Sequence, residues 1–89
     1  MPVRHLPIVN EKGLHARASA RFVEVVEAHD ARACVRRDGL EAAGDSIMGL
    51  LMLAASRGTE IEVETSGPQA DELMEALASL VAGRFGEEA

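Results

Sequence analysis

The segment TEIEVET, Thr59–Thr65, constrains the fold more than any other stretch of this chain. Ile61, Val63 and Thr65 lie on one side of the alternation, and Glu60, Glu62 and Glu64 on the other. A period of two is the signature of a half-buried strand. Three glutamates in a row on one face demand water, so the sheet that contains this strand has one wet face and one dry face. The dry face must then be covered from a single side, which predicts two layers rather than three.

The covering elements can be read by their period. From Ala16 onward, Ala18, Phe22, Val25, Val26 and His29 recur at helical spacing while Arg17, Arg21, Glu24 and Glu27 are polar, which predicts an amphipathic helix. After Gly67, Pro68 fits a first helical position, Asp71 and Glu72 fit the first turn, and Ala70, Leu73, Leu77, Leu80 and Val81 form a stripe that ends near Gly83. The remaining strands come from Val3–Val9, with Leu6 and Ile8 on one face and Pro7 marking an edge or an early end, and from a hairpin. In that hairpin Ala33 and Val35 alternate with Arg32, Cys34 and Arg36, and Asp38-Gly39 turns the chain into LEAA. The predicted fold is α+β, an open-faced β-sandwich: a four-stranded antiparallel sheet covered on one face by three helices, in the order βαββαβα. A chain of 89 residues without linker or repeat fits one domain over 1–89.

The third helix breaks the amphipathic rule. In DSIMGLLMLAA, residues 45–55, Ile47, Met48, Leu50, Leu51, Met52 and Leu53 wrap nearly the whole circumference, so a two-layer domain must leave some of them exposed. Ile47, Leu50 and Leu51 are expected against the sheet, and Met48 and Met52 toward water. An exposed apolar patch on a small domain marks a docking surface, and methionine suits one that accepts several partners. Ser46 stands where an N-cap would stand, with a hydroxyl able to accept from a first-turn amide. A phosphate there would face free amides.

His15 raises a different question, because it has no metal-ligand or triad companion nearby in the chain. Gly13 permits a tight approach, and a helix starting at about Ala16 places the ring beside unpaired N–H groups, where anions bind. The helix dipole disfavours positive charge on the ring, and once a phosphoryl group is attached the same amides and Arg17 can hold its oxygens. The helix-end contribution, about 0.3 to 2 kcal/mol, is small enough for a group that must be passed on.

Composition removes the competing partners. The chain has two Phe and no Trp or Tyr, so it lacks platforms for stacking bases, and its net charge of −6 repels phosphate backbones and anionic membranes. His5, His15 and His29 share no ligand spacing, so no metal is expected. His5 reads as a strand-face residue and His29 as a helix-end one. The lone Cys34 fits a reducing compartment and a small strand position. No apolar run approaches a membrane span or a secretion signal, which predicts a cytoplasmic protein. No carboxylate pair or nucleophile-base pair argues for stand-alone catalysis, and the chain reads instead as a covalent substrate of other enzymes.

Two segments carry a family resemblance. GLHARASARFV is similar to the active-site segment of HPr, the histidine phosphocarrier of the bacterial phosphoenolpyruvate-dependent phosphotransferase system (the HPr/NPr family). GDSIMGLLMLAASRGTEIEVETSG resembles the family's serine segment and the strand after it, and the element order matches over the whole chain. The resemblance implies that His15 accepts phosphate from phosphorylated enzyme I and donates it to IIA-type acceptor domains, in sugar uptake or in the nitrogen-related branch. It implies that Arg17 steadies the phosphoryl oxygens and that Ser46 is the target of HPr kinase/phosphorylase in hosts that have it. It assigns the patch of Ile47, Met48, Leu51 and Met52 to docking, and implies a monomer with no cofactor.

The chain departs from the family at Ala18, where a proline usually follows the arginine. Alanine should keep the helix while loosening the loop that aims His15, which bears on transfer rate. Two rivals remain. One is a regulatory protein phosphorylated at Ser46 and silent at His15. The other is an acyl carrier protein, whose Asp-Ser-Leu resembles Asp45-Ser46-Ile47, although its all-helical fold conflicts with the alternation at 60–65.

Overall fold

A computed structural model of the chain describes residues 1–87. Its elements are β1 (Val3–Pro7), α1 (Ala16–Glu27), β2 (Arg32–Arg37), β3 (Leu40–Ala43), α2 (Ile47–Met52), β4 (Glu60–Ser66) and α3 (Ala70–Ala82), followed by a tight turn over Arg84–Gly86. The four strands form one antiparallel sheet in the order β1-β4-β2-β3. This is the expected open-faced sandwich with βαββαβα order. The sheet also excludes the all-helical acyl-carrier alternative. Among the described residues, no helix is long and apolar enough to cross a membrane.

The period-two reading of β4 holds residue by residue: Ile61, Val63 and Thr65 are buried, and Thr65 spends its hydroxyl on the carbonyl of Ala70 at 2.8 Å. On the wet face, Arg36 of β2 donates to Glu41, Glu62 and Glu64 at 2.9, 2.7 and 2.7 Å, and His5 lies 3.2 Å from Glu62. One guanidinium thus offsets the repulsion among glutamates that alternation places side by side. Burial first, and then the neighbouring Glu41 carboxylate, push the Cys34 thiol up, which leaves it a poor nucleophile. Asp38 and Gly39 both take positive φ, 53° and 79°, as a two-residue primed hairpin turn requires.

The structure corrects several boundaries and faces. β1 ends at Pro7, on an edge of the sheet, because proline has no N–H for the ladder; Ile8 still bonds to Thr59 and Gly58 through its backbone. In α1, Ser19 and Val23 take buried places beside Ala18, Phe22 and Val26, while Val25 is half-buried and His29 lies beyond the helix end. There the His29 ring meets the Val25 carbonyl at 2.7 Å. α3 starts at Ala70 rather than Pro68, because Gln69 exchanges bonds with Asp30: its side chain accepts from the Asp30 N–H, and its own N–H donates to the Asp30 carbonyl. Pro68 belongs to the turn before that helix. Met74 joins the buried stripe, and Leu80 sits at its margin.

The helix expected over 45–55 is shorter, Ile47–Met52, and its burial departs from expectation at Ile47 and, in part, at Leu51. Leu50 and Leu53 are buried, but Ile47 is 41% exposed, as Met48 and Met52 are at 69% and 73%. Leu51 is half-buried. So short a helix turns only a narrow face to the core, and Leu50 and Leu53, three apart, fill it; Ile47, next to the cap, stays outside.

Candidate functional site

The loop before α1 is fixed by backbone contacts that only glycine permits. Gly13 has φ +64°, and a Cβ there would stand 2.4 Å from the Ala55 carbonyl oxygen and 2.8 Å from the Ser56 Cα. That close approach lets Leu14 donate its N–H to Ala55 at 2.8 Å and bury its side chain. From the other side, the fully buried Asn10 donates its side-chain amide to the Gly13 carbonyl at 2.7 Å. Ser19 closes the corner: its N–H donates to the His15 carbonyl at 2.8 Å and its hydroxyl to that of Leu14 at 3.3 Å.

His15 is consequently the N-cap of α1 in extended conformation, as expected, but its ring makes no capping bond and remains 28% exposed. The amides of Ala16, Arg17 and Ala18 have no acceptor within the helix. No acidic side chain occupies the first turn to neutralise them. The ring opens on a concavity of about 550 Å³ lined by Lys12, Arg17, Ala18 and Arg21 together with Glu11, Phe85 and Glu87. Among the described residues, three cations stand here against two carboxylates, in a chain of net charge −6. Such a corner can hold a small anion and present a nitrogen lone pair to it.

The structure brings His15 and Arg17 to this one concavity. Ser46 lies elsewhere, at the N-cap of α2, where its hydroxyl accepts from the Gly49 N–H at 3.1 Å. Ser46 thus caps α2, as its place in the sequence predicts. Ala18 is fully buried at the third position of α1 and leaves the helix start undisturbed.

Sequence reasoning missed the far wall. Phe85, one of only two aromatic residues, is 2% exposed although Arg84 and Phe85 both carry positive φ, 60° and 55°. Each such residue costs about 1 to 2 kcal/mol. Burial of the Phe85 ring, about 1.5 to 3 kcal/mol, offsets most of that and swings the chain back toward α1. Glu87 then accepts from the Glu11 N–H at 2.8 Å and from the Asn10 amide at 3.2 Å, and places its carboxylate 3.5 Å from His15 Nε2. The Asn10 amide foremost, against some desolvation, and then the backbone amides of Glu11 and Lys12 hold the Glu87 carboxyl below its ordinary 4.5. No local pattern signals a contact across 72 residues of chain. A solitary Phe beyond a helix-ending glycine was the one available hint.

Comparison with known proteins establishes the family. The family model for the PTS HPr component phosphorylation site matches residues 3–83. The chain belongs to the HPr family. It is 43% identical to the phosphocarrier protein HPr of Cupriavidus necator, with 94% of each chain covered, and 39% identical to the phosphocarrier protein NPr of Escherichia coli, with 91% of each covered. Among solved structures, HPr-C-His from Thermoanaerobacter tengcongensis superposes with a TM-score of 0.94 at 32% identity over the full length of both chains. Membership in this family carries a phosphocarrier role in the phosphotransferase system.

Proposed function

We propose that His15 is the phosphoryl acceptor of this carrier, charged by phosphorylated enzyme I and discharged to IIA-type acceptor domains. The observation that carries the reading is the N-cap ring itself, free of any capping bond and set among three unpaired amides and three cations. Because Nε2 faces Glu87, Nδ1 is the nitrogen whose lone pair is free to attack. The Nδ1–P bond forms as the bond between phosphorus and the donor atom of enzyme I breaks, and the donor atom takes the electron pair. Discharge is the reverse, with the acceptor supplying the lone pair. Arg17 and the amides of Ala16–Ala18 bind the phosphoryl oxygens in passing, with the modest strength a relay needs.

Docking is assigned to α2, where Ile47, Met48 and Met52 expose apolar area and Leu51 underlies them. Phosphorylation of Ser46 by a kinase, in a host that has one, would put a doubly charged group beside that apolar surface and weaken docking by desolvation. The chain works as one unit over 1–89, as a cytoplasmic monomer that partner enzymes modify. The test is intact mass after incubation with phosphoenolpyruvate and enzyme I, for the wild type and His15→Ala. Addition of one phosphate that brief acid removes, absent from the variant, supports the reading. A folded wild type that stays unmodified with several enzyme I preparations overturns it and favours a regulatory protein controlled at Ser46.

A further inference from the structure

Among the described residues, Glu87 is the acidic side chain in contact with the His15 ring, and it is held from the opposite end of the chain. Both of its oxygens have fixed donors: Oε1 takes the Glu11 N–H at 2.8 Å, and Oε2 takes the Asn10 amide at 3.2 Å. Asn10 is fully buried, and the same amide nitrogen also donates to the Gly13 carbonyl at 2.7 Å. The carboxylate is thus tied to the very loop that delivers the ring, and its side chain is only 16% exposed. Oε2 stands 3.5 Å from Nε2 and has no proton to give.

A neutral imidazole carries one N–H, and the hydrogen bond made by one nitrogen decides which of the two holds it. A carboxylate beside Nε2 can only accept. We propose that Glu87 is a positioning residue for phosphoryl transfer: it keeps the ring proton on Nε2 and so keeps the Nδ1 lone pair facing the amides and cations of the concavity. The inference rests on His15 being the phosphoryl acceptor. Its chemical consequence is that no proton has to join or leave the ring in either direction. When the Nδ1–P bond forms, Nε2 retains its hydrogen and the ring becomes a cation paired with the carboxylate. When that bond breaks, the electron pair returns to Nδ1 and the ring is neutral again. The other charged groups around the ring, among the described residues, are Glu11, Lys12, Arg17 and Arg21; the three cations serve the phosphoryl side, and Glu11 engages the carboxylate through its backbone N–H.

The experiment is long-range proton–nitrogen NMR of the His15 ring, assigned by its absence in His15→Ala, at a pH where the ring is neutral. It is run on the wild type, Glu87→Ala and Glu87→Gln, alongside phosphoryl-transfer kinetics with phosphoenolpyruvate and enzyme I. Glu87→Gln keeps one oxygen, and so an acceptor for either the Glu11 N–H or the Asn10 amide, which makes it the milder change and keeps it informative if the alanine variant unfolds. The wild type should show a protonated Nε2 and a bare Nδ1, and the variants should shift toward a mixture of the two forms. In Glu87→Ala, kcat should fall roughly fivefold, the size of a partly exposed ion pair, since the 3.5 Å approach of Glu87 to Nε2 is an ion-pair contact rather than a formed hydrogen bond. KM for the chain should stay within about twofold, because docking lies on α2. An unchanged ring pattern and unchanged kcat in both variants would overturn the proposal. A ring pattern that shifts with Glu87 in a protein that accepts no phosphate would overturn the carrier reading while supporting Glu87 as the group that sets the ring proton.

Discussion

Gly13→Ala is the substitution through which the aim of His15 can be attacked without touching the ring. Two costs arise at that position. The alanine must hold φ at +64°, which costs an L residue about 1 to 2 kcal/mol. Its Cβ must also displace the Ala55 carbonyl, 2.4 Å away, and the Ser56 Cα, 2.8 Å away; both are backbone atoms and cannot rotate aside. Moving them breaks the Leu14 N–H bond to Ala55, worth about 0.5 to 1.5 kcal/mol, and disturbs the packing of buried Leu14 and Ala55, about 1 to 3 kcal/mol. Reduced freedom of the unfolded chain returns about 0.4 to 1 kcal/mol, leaving a net loss of about 1.5 to 6 kcal/mol. Gly58→Ala is the control, because Gly58 has φ +88° with nothing within 4 Å of its absent Cβ and should lose only about 0 to 1.5 kcal/mol. Urea unfolding of both variants, followed by circular dichroism, reads the difference. If Gly13→Ala lies within about 1 kcal/mol of Gly58→Ala, the close approach of the two loops is not what fixes the His15 corner.

Other outcomes follow from the same geometry. Ala18→Pro should unfold within about 1 kcal/mol of the wild type in urea, because Ala18 sits in the first turn of α1 and its N–H has no helical acceptor to lose; a loss above about 3 kcal/mol would place Ala18 deeper in the helix. Ser46→Ala removes the bond to Gly49 and should cost about 1 kcal/mol in the same assay, whereas Ser46→Asp should recover part of it by capping. Glu87 is held below 4.5 in the folded chain by the Asn10 amide first, so its contribution to stability is present above about pH 4.5 and lost as pH falls through the lower folded value. Melting temperatures measured from pH 6 down to pH 3 should therefore fall less steeply for Glu87→Gln than for the wild type, and equal slopes would contradict the hydrogen bonds drawn for Glu87.

Local pattern carried most of this fold. The alternation of β4, the Asp38-Gly39 turn and the stripe of α3 were legible because each is decided by residues a few positions apart. Pro68 misled as a helix start because Gln69 is engaged by Asp30, a contact between segments 39 residues apart. Ile47 was misplaced because a circumference that is apolar all round does not reveal which side meets the core, and only the placement of α2 beside α1 and β3 decides it. The site divides in the same way. His15, Arg17 and their helix start are contiguous and could be read, together with the family resemblance in the same segment. The wall made by Phe85 and Glu87 depends on a left-handed turn at two non-glycine residues, Arg84 and Phe85, which runs against local preference and exists because tertiary burial of Phe85 overrides it.

The measurement that bears most directly on the central claim is phosphorus–proton correlation NMR of the chain after charging by phosphoenolpyruvate and enzyme I. The account predicts a single phosphoramidate, coupled to the ring protons of His15 in the pattern of an Nδ1 adduct. Phosphate on His5, on His29, on a hydroxyl, or on Nε2 of His15 would contradict it.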